Sequence, residues 1–441
     1  MNGDRRHTLM IKHLPSVIAP MVLCFFAATM RSEEPKASPT PKPQFLSAPA
    51  MSASPKTGFA GDSICLTCHR TFSGYETTAH LHSLQLPSAS SVLGSFKPGE
   101  NTVQTLDPRT SLFGEALSFE MKHVDNEFLV TAAHSTYDDS AAKAKLEKHT
   151  EHIGIITGSG VRGQSYLYWA GSNLFELPIS YWSAGRQWIN SPGYPDGTAI
   201  FERPVSPRCL ECHTTFIQVT TTGGPAYSYM KSSLVVGITC ERCHGAGMDH
   251  IRIQKHSGRA ATVVGSSIVN PARLSRDRQV DICALCHNGT QREATAPAFS
   301  YMAGEVLDHY FKPHIDASVE RVDVHGDQVG LLKRSRCYQS SPQMSCSTCH
   351  DVHAPERDPE AYSAKCLSCH RTDSCRVVVD QGDDFRGHCI GCHMPLETSK
   401  AIVATTEGRV TKTKLRTHWI KVYPATLYEI PLRGSGSGMV G

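Results

Sequence analysis

The feature that most constrains this chain is a five-residue motif, Cys-X-X-Cys-His, which occurs seven times in 441 residues. Each copy places two thiols one helical turn apart and an imidazole directly after the second thiol. The residue frequencies of the chain would give far fewer than one copy by chance. The copies are Cys65, Cys68 and His69; Cys209, Cys212 and His213; Cys240, Cys243 and His244; Cys283, Cys286 and His287; Cys346, Cys349 and His350; Cys366, Cys369 and His370; and Cys389, Cys392 and His393.

This spacing suits covalent attachment of a haem. The two thiols bond to the two vinyl groups, and the histidine that follows lies beneath the iron as its proximal ligand. Zinc knuckles or a disulfide scaffold are the alternatives for so many cysteine pairs. Zinc does not require a histidine after every second cysteine, and surplus thiols of an exported protein would oxidise. The sequence therefore predicts seven covalently attached c-type haems, each with iron held by its motif histidine.

The first 32 residues are typical of a signal peptide. Basic residues at Arg5, Arg6 and Lys12 precede an apolar stretch, 17–30, that is too short to span a bilayer comfortably. A membrane-anchor helix or a buried segment is the alternative. Because c-type haem is attached outside the cytoplasm, we predict export to the periplasm; an extracellular protein would start with the same signal. No later segment is long and apolar enough to predict a transmembrane helix in the mature chain.

The remaining chain divides by composition. Residues 33–59 are rich in Pro, Ser and Ala and predict a linker, 60–425 the heptahaem domain, and 430–441 a flexible tail. Since porphyrins would fill much of the core, we predict a mainly α-helical and irregular multihaem cytochrome c with little regular secondary structure.

A small β-rich insertion is the predicted exception, at 110–200 between the first and second motifs. Alternation at 119–123, with a turn at Asp125-Asn126, predicts one hairpin. The run 165–169, with a turn at 171–173, predicts a second hairpin. Residues 141–148 between them are interpreted as helical.

Charge and composition limit the partners. The formal net charge is +3 in 441 residues, so no strong basic field indicates a nucleic-acid partner. We expect a multihaem protein to bind two kinds of partner, a redox protein that donates electrons and a redox protein that accepts them. The oligomeric state does not follow from the sequence.

Several runs along the chain, two of which include motif residues, resemble those of a known group. The runs are 155–160, 166–168, 177–182, 191–194, 240–245, 269–272 and 392–395. Through them the chain is similar, over roughly 61–421, to multihaem cytochromes of the cytochrome c-552/4 family, relatives of the tetrahaem carrier that accepts electrons from hydroxylamine oxidation. The resemblance implies electron transfer.

Six histidines outside the motifs are candidates for the sixth iron ligand. The context of His80, His152, His325 and His418 resembles the ligand-bearing segments of that family. His250 follows His244 by six residues and His353 follows His350 by three. Both would project from the same local face as their own motif, so we predict that each ligates a neighbouring haem.

The sixth position also separates two functions. An iron between two imidazoles can only pass electrons, whereas an open iron can bind nitrite or hydroxylamine. No Cys-X-X-Cys-Lys motif, which marks some catalytic haems, occurs in the sequence. We predict an exported electron carrier without catalytic residues; the alternative is a multihaem oxidoreductase acting on nitrite or hydroxylamine at one five-coordinate haem. In the predicted mature chain, two cysteines, Cys337 and Cys375, lie outside the motifs. They either form a disulfide with each other or remain thiols that are free or ligate an iron.

Overall fold

The computed structural model describes residues 58–423 except 106–116, 139–142, 222–225, 258–267, 290–291, 313–325, 356–357 and 383–384. The predicted signal peptide, most of the predicted linker and the predicted tail lie outside these described residues. In the described part, no helix is long and apolar enough to cross a membrane.

The helices are short, and most of them carry a motif. One helical turn is enough to bring two cysteines three residues apart onto one face. The helices are α1 Asp62–Cys68, α2 Pro207–His213, α3 Cys240–His244, α4 Met248–Ser257, α5 Arg276–His287, α6 Gln328–Lys333, α7 Arg336–Ser340, α8 Pro359–Cys366, α9 Arg376–Gln381 and α10 Cys389–His393. The fifth motif begins a 3-10 turn, Cys346–Thr348.

The strands form three antiparallel sheets. They are β1 Leu84–Gln85, β2 Thr102–Thr105, β3 Leu117–Val124, β4 Glu127–Asp138, β5 Lys143–His152, β6 Ile155–Thr157, β7 Gly163–Ala170, β8 Asn173–Trp182, β9 Gln187–Asn190, β10 Arg203–Pro204, β11 Phe216–Thr221, β12 Ser228–Val235, β13 Leu396–Thr406 and β14 Arg409–Arg416. The large sheet has the order β1-β6-β7-β8-β12-β11, with β9 and β10 also paired to β8. The four-stranded sheet runs β2-β3-β4-β5, and β13-β14 is a separate hairpin.

The prediction of a mainly α-helical fold is wrong. Strands hold 29% of the described residues and helices 30%. The physical reason is that the four-stranded sheet packs on the large sheet and buries an ordinary side-chain core that needs no porphyrin. Phe119 and Met121 of β3 meet Tyr166 of β7 and Ile179 of β8 in this core.

Both predicted hairpins are confirmed, and the helix predicted between them is not. Strands β3 and β4 pair on either side of Asp125 and Asn126, whose positive φ angles of 48° and 67° suit a tight hairpin turn. Strands β7 and β8 pair across Gly171. Residues 143–148 of the segment predicted as helical instead belong to β5, because they pair with β4; residues 141 and 142 lie outside the described residues.

The large sheet is the middle layer that separates this apolar core from a cavity. Along β7, Tyr166 and Tyr168 face the core, whereas Ser165 and Leu167 line the cavity. The side chains alternate because successive residues of a strand point to opposite faces. The sheet therefore supplies one wall of the candidate site.

Candidate functional site

One continuous cavity contacts all seven motifs. Its volume is about 3790 Å³, several times the roughly 300–1,000 Å³ of an ordinary single-ligand pocket. The cysteines and the histidine of every motif are among its lining residues. The structure thus gathers motifs that are up to 320 residues apart into one space that suits several large cofactors.

Helix α1 and helix α3 hold the first and third motifs against each other. The backbone N–H of Cys240 donates to Asp62 Oδ1 at 2.8 Å. In return, Glu241 accepts from the N–H groups of Ala60 and Gly61 at 2.7 and 2.9 Å, and from that of Gly247 at 2.7 Å. Glu241 is only 4% exposed, so this carboxylate is a buried clamp inside the motif.

Replacing Glu241 with glutamine should weaken this clamp. The glutamine amide replaces one of the two accepting oxygens with an NH₂ donor and removes the negative charge. Hydrogen bonds to a charged group are worth about 1.5–3 kcal/mol each. We expect the free energy of unfolding to fall by about 2–4 kcal/mol, measured in denaturant by haem absorbance. Glu120, in an exposed ion pair with Lys122, is the control, and E120Q should stay within about 0.5 kcal/mol of wild type. Equal unfolding midpoints for E241Q and wild type would contradict the clamp.

Thiols of different motifs lie close together inside the cavity. Four pairs are near enough for their side chains to interact: Cys65 with Cys240, Cys212 with Cys286, Cys283 with Cys346, and Cys366 with Cys389. Cys243 also lies near Cys283, and Cys349 near Cys366. Since each thiol marks the edge of a haem attachment site, neighbouring motifs would hold haems edge to edge.

Three motif imidazoles are oriented by backbone carbonyls. The Nδ1 atoms of His213, His244 and His393 lie 3.2, 2.8 and 2.9 Å from the carbonyl oxygens of Ser83, Val269 and Lys421. A carbonyl accepts only, so Nδ1 carries the proton in each ring. The unprotonated Nε2 is then left to bind a metal.

Four motif histidines each face a histidine from outside the motifs. An iron between two imidazoles, with metal–nitrogen distances of about 2.0–2.1 Å, holds the ring centres about 6 Å apart. The observed separations are 6.4 Å for His69 and His250, 6.2 Å for His287 and His80, 6.2 Å for His244 and His353, and 6.0 Å for His350 and His418. The residues present therefore fit iron with two axial imidazoles at four motifs.

Local structure fixes these outer histidines. His250 lies on α4, immediately after the third motif. The carbonyl of His80 accepts from the Ile238 N–H at 3.0 Å. Ser335 Oγ donates to the carbonyl of His418 at 2.9 Å and accepts from the Ile420 N–H at 2.7 Å. His250 and His353 thus each face the histidine of a motif other than the one they follow, and their ligation of neighbouring haems stays a prediction.

Burial keeps several of these rings neutral. It lowers the pKa of His80, His213 and His244, and it lowers the pKa of His418 to about 4. A neutral imidazole is the form that binds a metal, so burial prepares the rings for ligation without competition from protons.

Other predicted residues lie elsewhere. His152 Nδ1 lies 3.2 Å from Glu127 Oε2, and the side chain is 60% exposed and does not line the cavity. His325 lies outside the described residues. Cys337 and Cys375 are free thiols on the cavity wall, near Cys349 and Cys392 respectively. Sequence reasoning missed the buried carboxylates of Glu211 and Glu241, because acidic residues are usually exposed and no local pattern marks these two.

The family model described as cytochrome c554 and c-prime matches residues 197–245, which contain the second and third motifs. Together with the motif-lined cavity and the relatives below, this match defines the class. The chain is a multihaem c-type cytochrome, and it binds haem covalently.

Two curated relatives are similar to part of the chain. The chain is 24% identical over 164 residues to the C-type polyheme cytochrome OmcB of Geobacter sulfurreducens, and this alignment covers 36% of the chain and 19% of the relative. It is 24% identical over 178 residues to the multiheme cytochrome MtrA of Shewanella baltica, and that alignment covers 37% of the chain and 51% of the relative. The matches thus span about half or less of each relative's length. No solved structure matches the chain significantly.

Proposed function

We propose that the protein is an exported heptahaem carrier that passes electrons along a chain of covalently bound haems between redox proteins. The observation that carries this proposal is the single cavity lined by all seven motifs. The cavity and the thiol contacts would keep the haems close together, as electron hopping requires. The resemblance to the cytochrome c-552/4 family and a periplasmic location belong to the same proposal.

The thiol contacts suggest the order of the haems. Taken as links, they connect motif one to three, three to four, four to five, five to six and six to seven. The second motif joins at the fourth through Cys212 and Cys286. The proposed path is therefore a chain with one branch, and electrons would enter or leave at the haems of motifs one, two and seven.

The outer histidines agree with the thiol links between motifs one and three, and they add a direct relation between motifs three and five. His250 follows the third motif and faces His69 of the first, and His353 follows the fifth motif and faces His244 of the third. Ligation of this kind would tie adjacent haems together through the protein backbone. We propose His80, His250, His353 and His418 as distal ligands on this basis.

The first experiment is a haem count on the purified ferric protein with optical and EPR spectra of the same sample. The carrier requires seven haems, all low-spin and unchanged by nitrite, hydroxylamine or cyanide. Fewer than seven haems would contradict the heptahaem assignment. A haem that binds these ligands, together with steady turnover of nitrite or hydroxylamine, would contradict the carrier and support an oxidoreductase.

The oxidoreductase remains the second candidate because three motif histidines lack an evident partner. His213, His370 and His393 make no ring contact with another histidine within the described ranges. An iron at one of these positions with an open site would bind a small nitrogen compound. The ligand titrations of the first experiment distinguish the two functions.

A further inference from the structure

Glu176 is a carboxylate in the cavity wall that the electron-transfer proposal does not use. It lies on β8, on the face of the large sheet that lines the cavity. Its neighbours Phe175 and Leu177 both pack in the apolar core, Leu177 fully buried and Phe175 at the edge. The side chain is 20% exposed, and a bound haem would reduce its contact with water further.

Among the described residues, Arg203 is the cation that forms an ion pair with this carboxylate. Arg203, opposite Glu176 on β10, places Nη1 3.4 Å from Glu176 Oε2 and is itself 44% exposed. From the turn after β9, the Tyr194 hydroxyl donates to the Glu176 backbone carbonyl at 2.7 Å. The β7 residue opposite Glu176 is the apolar Leu167. Arg203 and Tyr194 are thus the charged and titratable groups that face it from the packed elements.

The balance between burial and this ion pair favours the neutral acid. Burial raises the pKa of Glu176 to about 7, and the Arg203 charge only partly opposes this effect. Because the cation is the more exposed partner, solvent screens its attraction. A modest change in the local electrostatic potential would therefore change the protonation of Glu176 near neutral pH.

A source of such a change lies close by. Strand β10, which pairs with β8, is followed after two residues by α2. The first of these residues, Val205, is also bound to β8, because its N–H donates to the Leu174 carbonyl at 2.9 Å. Ser206 Oγ lies 3.3 Å from Cys209 Sγ of the second motif. At about 3.3 Å per residue, the extended segment from Arg203 to Ser206 spans only about 10 Å. The haem of the second motif would lie within reach of the Glu176 charge.

We propose that Glu176 is a proton-binding site coupled to the haem of Cys209, Cys212 and His213, and that it takes up one proton when this haem accepts one electron. Ferric iron becomes ferrous with an electron from the donor redox protein, and the carboxylate becomes a carboxylic acid with a proton from solvent. The acceptor removes the electron and the proton returns to solvent. No covalent bond to haem or protein changes otherwise.

The sign follows from the charges. Reduction removes one positive charge near Glu176, so the carboxylate loses a stabilising attraction and binds a proton more readily. Arg203 remains charged throughout and does not take part in the proton exchange. The midpoint potential of this haem should consequently fall as the pH rises through the neutral range. This inference rests on the proposed function, because it requires a haem at the second motif.

The test is a spectroelectrochemical titration of the complete holoprotein between about pH 5.5 and 8.5. One haem should shift towards 59 mV for each tenfold change in proton concentration, the limit for one proton per electron. In E176Q that shift should disappear and the potential should stay at its low-pH value. The control E202Q changes an exposed neighbouring carboxylate outside the cavity and should leave the shift intact.

Infrared difference spectra provide a second readout, and its measurement on the wild-type protein does not depend on a variant that folds. Reduction of the wild-type protein near neutral pH should produce a carboxylic-acid C=O band, and E176Q should lack that band. A pH-dependent potential that persists in E176Q, or a wild-type potential that is independent of pH, would overturn the inference. A haem count on the same samples separates this outcome from failure of the proposed function, because loss of the haem at the second motif would show as a missing haem.

Discussion

Replacing Cys283 and Cys286 with alanine should give a protein with six haems instead of seven. Cys286 lies near the second motif, and Cys283 lies near the third and fifth motifs. The lost haem would therefore lie at the branch of the proposed chain. Removing it also leaves part of the 3790 Å³ cavity unfilled. Truncating one core side chain costs about 2–5 kcal/mol, and we expect the free energy of unfolding to fall by at least as much.

Intact-mass measurement and denaturant unfolding test this expectation directly. C337A is the matched control, because Cys337 lines the same cavity but belongs to no motif. It should keep all haems and nearly all stability. A double variant that still carries seven haems would show that the fourth motif does not attach one, and loss of a haem from C337A would show that cavity thiols outside the motifs also attach haem.

Replacing His418 with methionine should raise the midpoint potential of one haem. His418 faces His350 of the fifth motif with ring centres 6.0 Å apart, and a thioether in place of one imidazole favours ferrous iron. We expect a shift on the order of 0.1–0.3 V, a part of the roughly 0.8 V range that axial ligands span. A new absorption band near the red end of the visible spectrum should accompany the shift.

The control for this variant is H152M. The sequence favours His152 and His418 equally as ligands, but the structure places His152 on an exposed strand beside Glu127. The H152M protein should therefore titrate like the wild type. If H152M shifts a potential and H418M does not, the pairing of His350 with His418 is wrong. Potentiometric titration of both variants, with EPR of the ferric forms, distinguishes the two outcomes.

Part of the β-rich region could be predicted from the sequence. Alternation around Phe119 and the Asp125-Asn126 turn predicted the first hairpin, because period-two burial and positive φ angles leave local traces. Residues 141–148 consist of Ala, Lys, Leu and Glu, which favour a helix, and the sequence predicts a helix there. Pairing with β4 makes residues 143–148 part of a strand, and such long-range pairing overrides weak local preference.

The sequence by itself determined the class of cofactor, and it predicts the residues that attach it. Covalent haem chemistry requires two thiols and an imidazole at fixed local spacing, so each motif is complete within five residues. It also favoured His250 and His353 as ligands of neighbouring haems, since a short segment cannot pass around its own porphyrin.

Only the tertiary structure decided which distant residues meet. Axial pairing, thiol neighbours and the burial of Glu176 depend on segments that are tens to hundreds of residues apart, and local sequence carries no signal for these distances. The same holds for the two packed sheets, because their core forms between strands that the chain brings together only after folding. His152 and His418 look alike in sequence, and the fold alone separates an exposed strand from a buried imidazole facing His350.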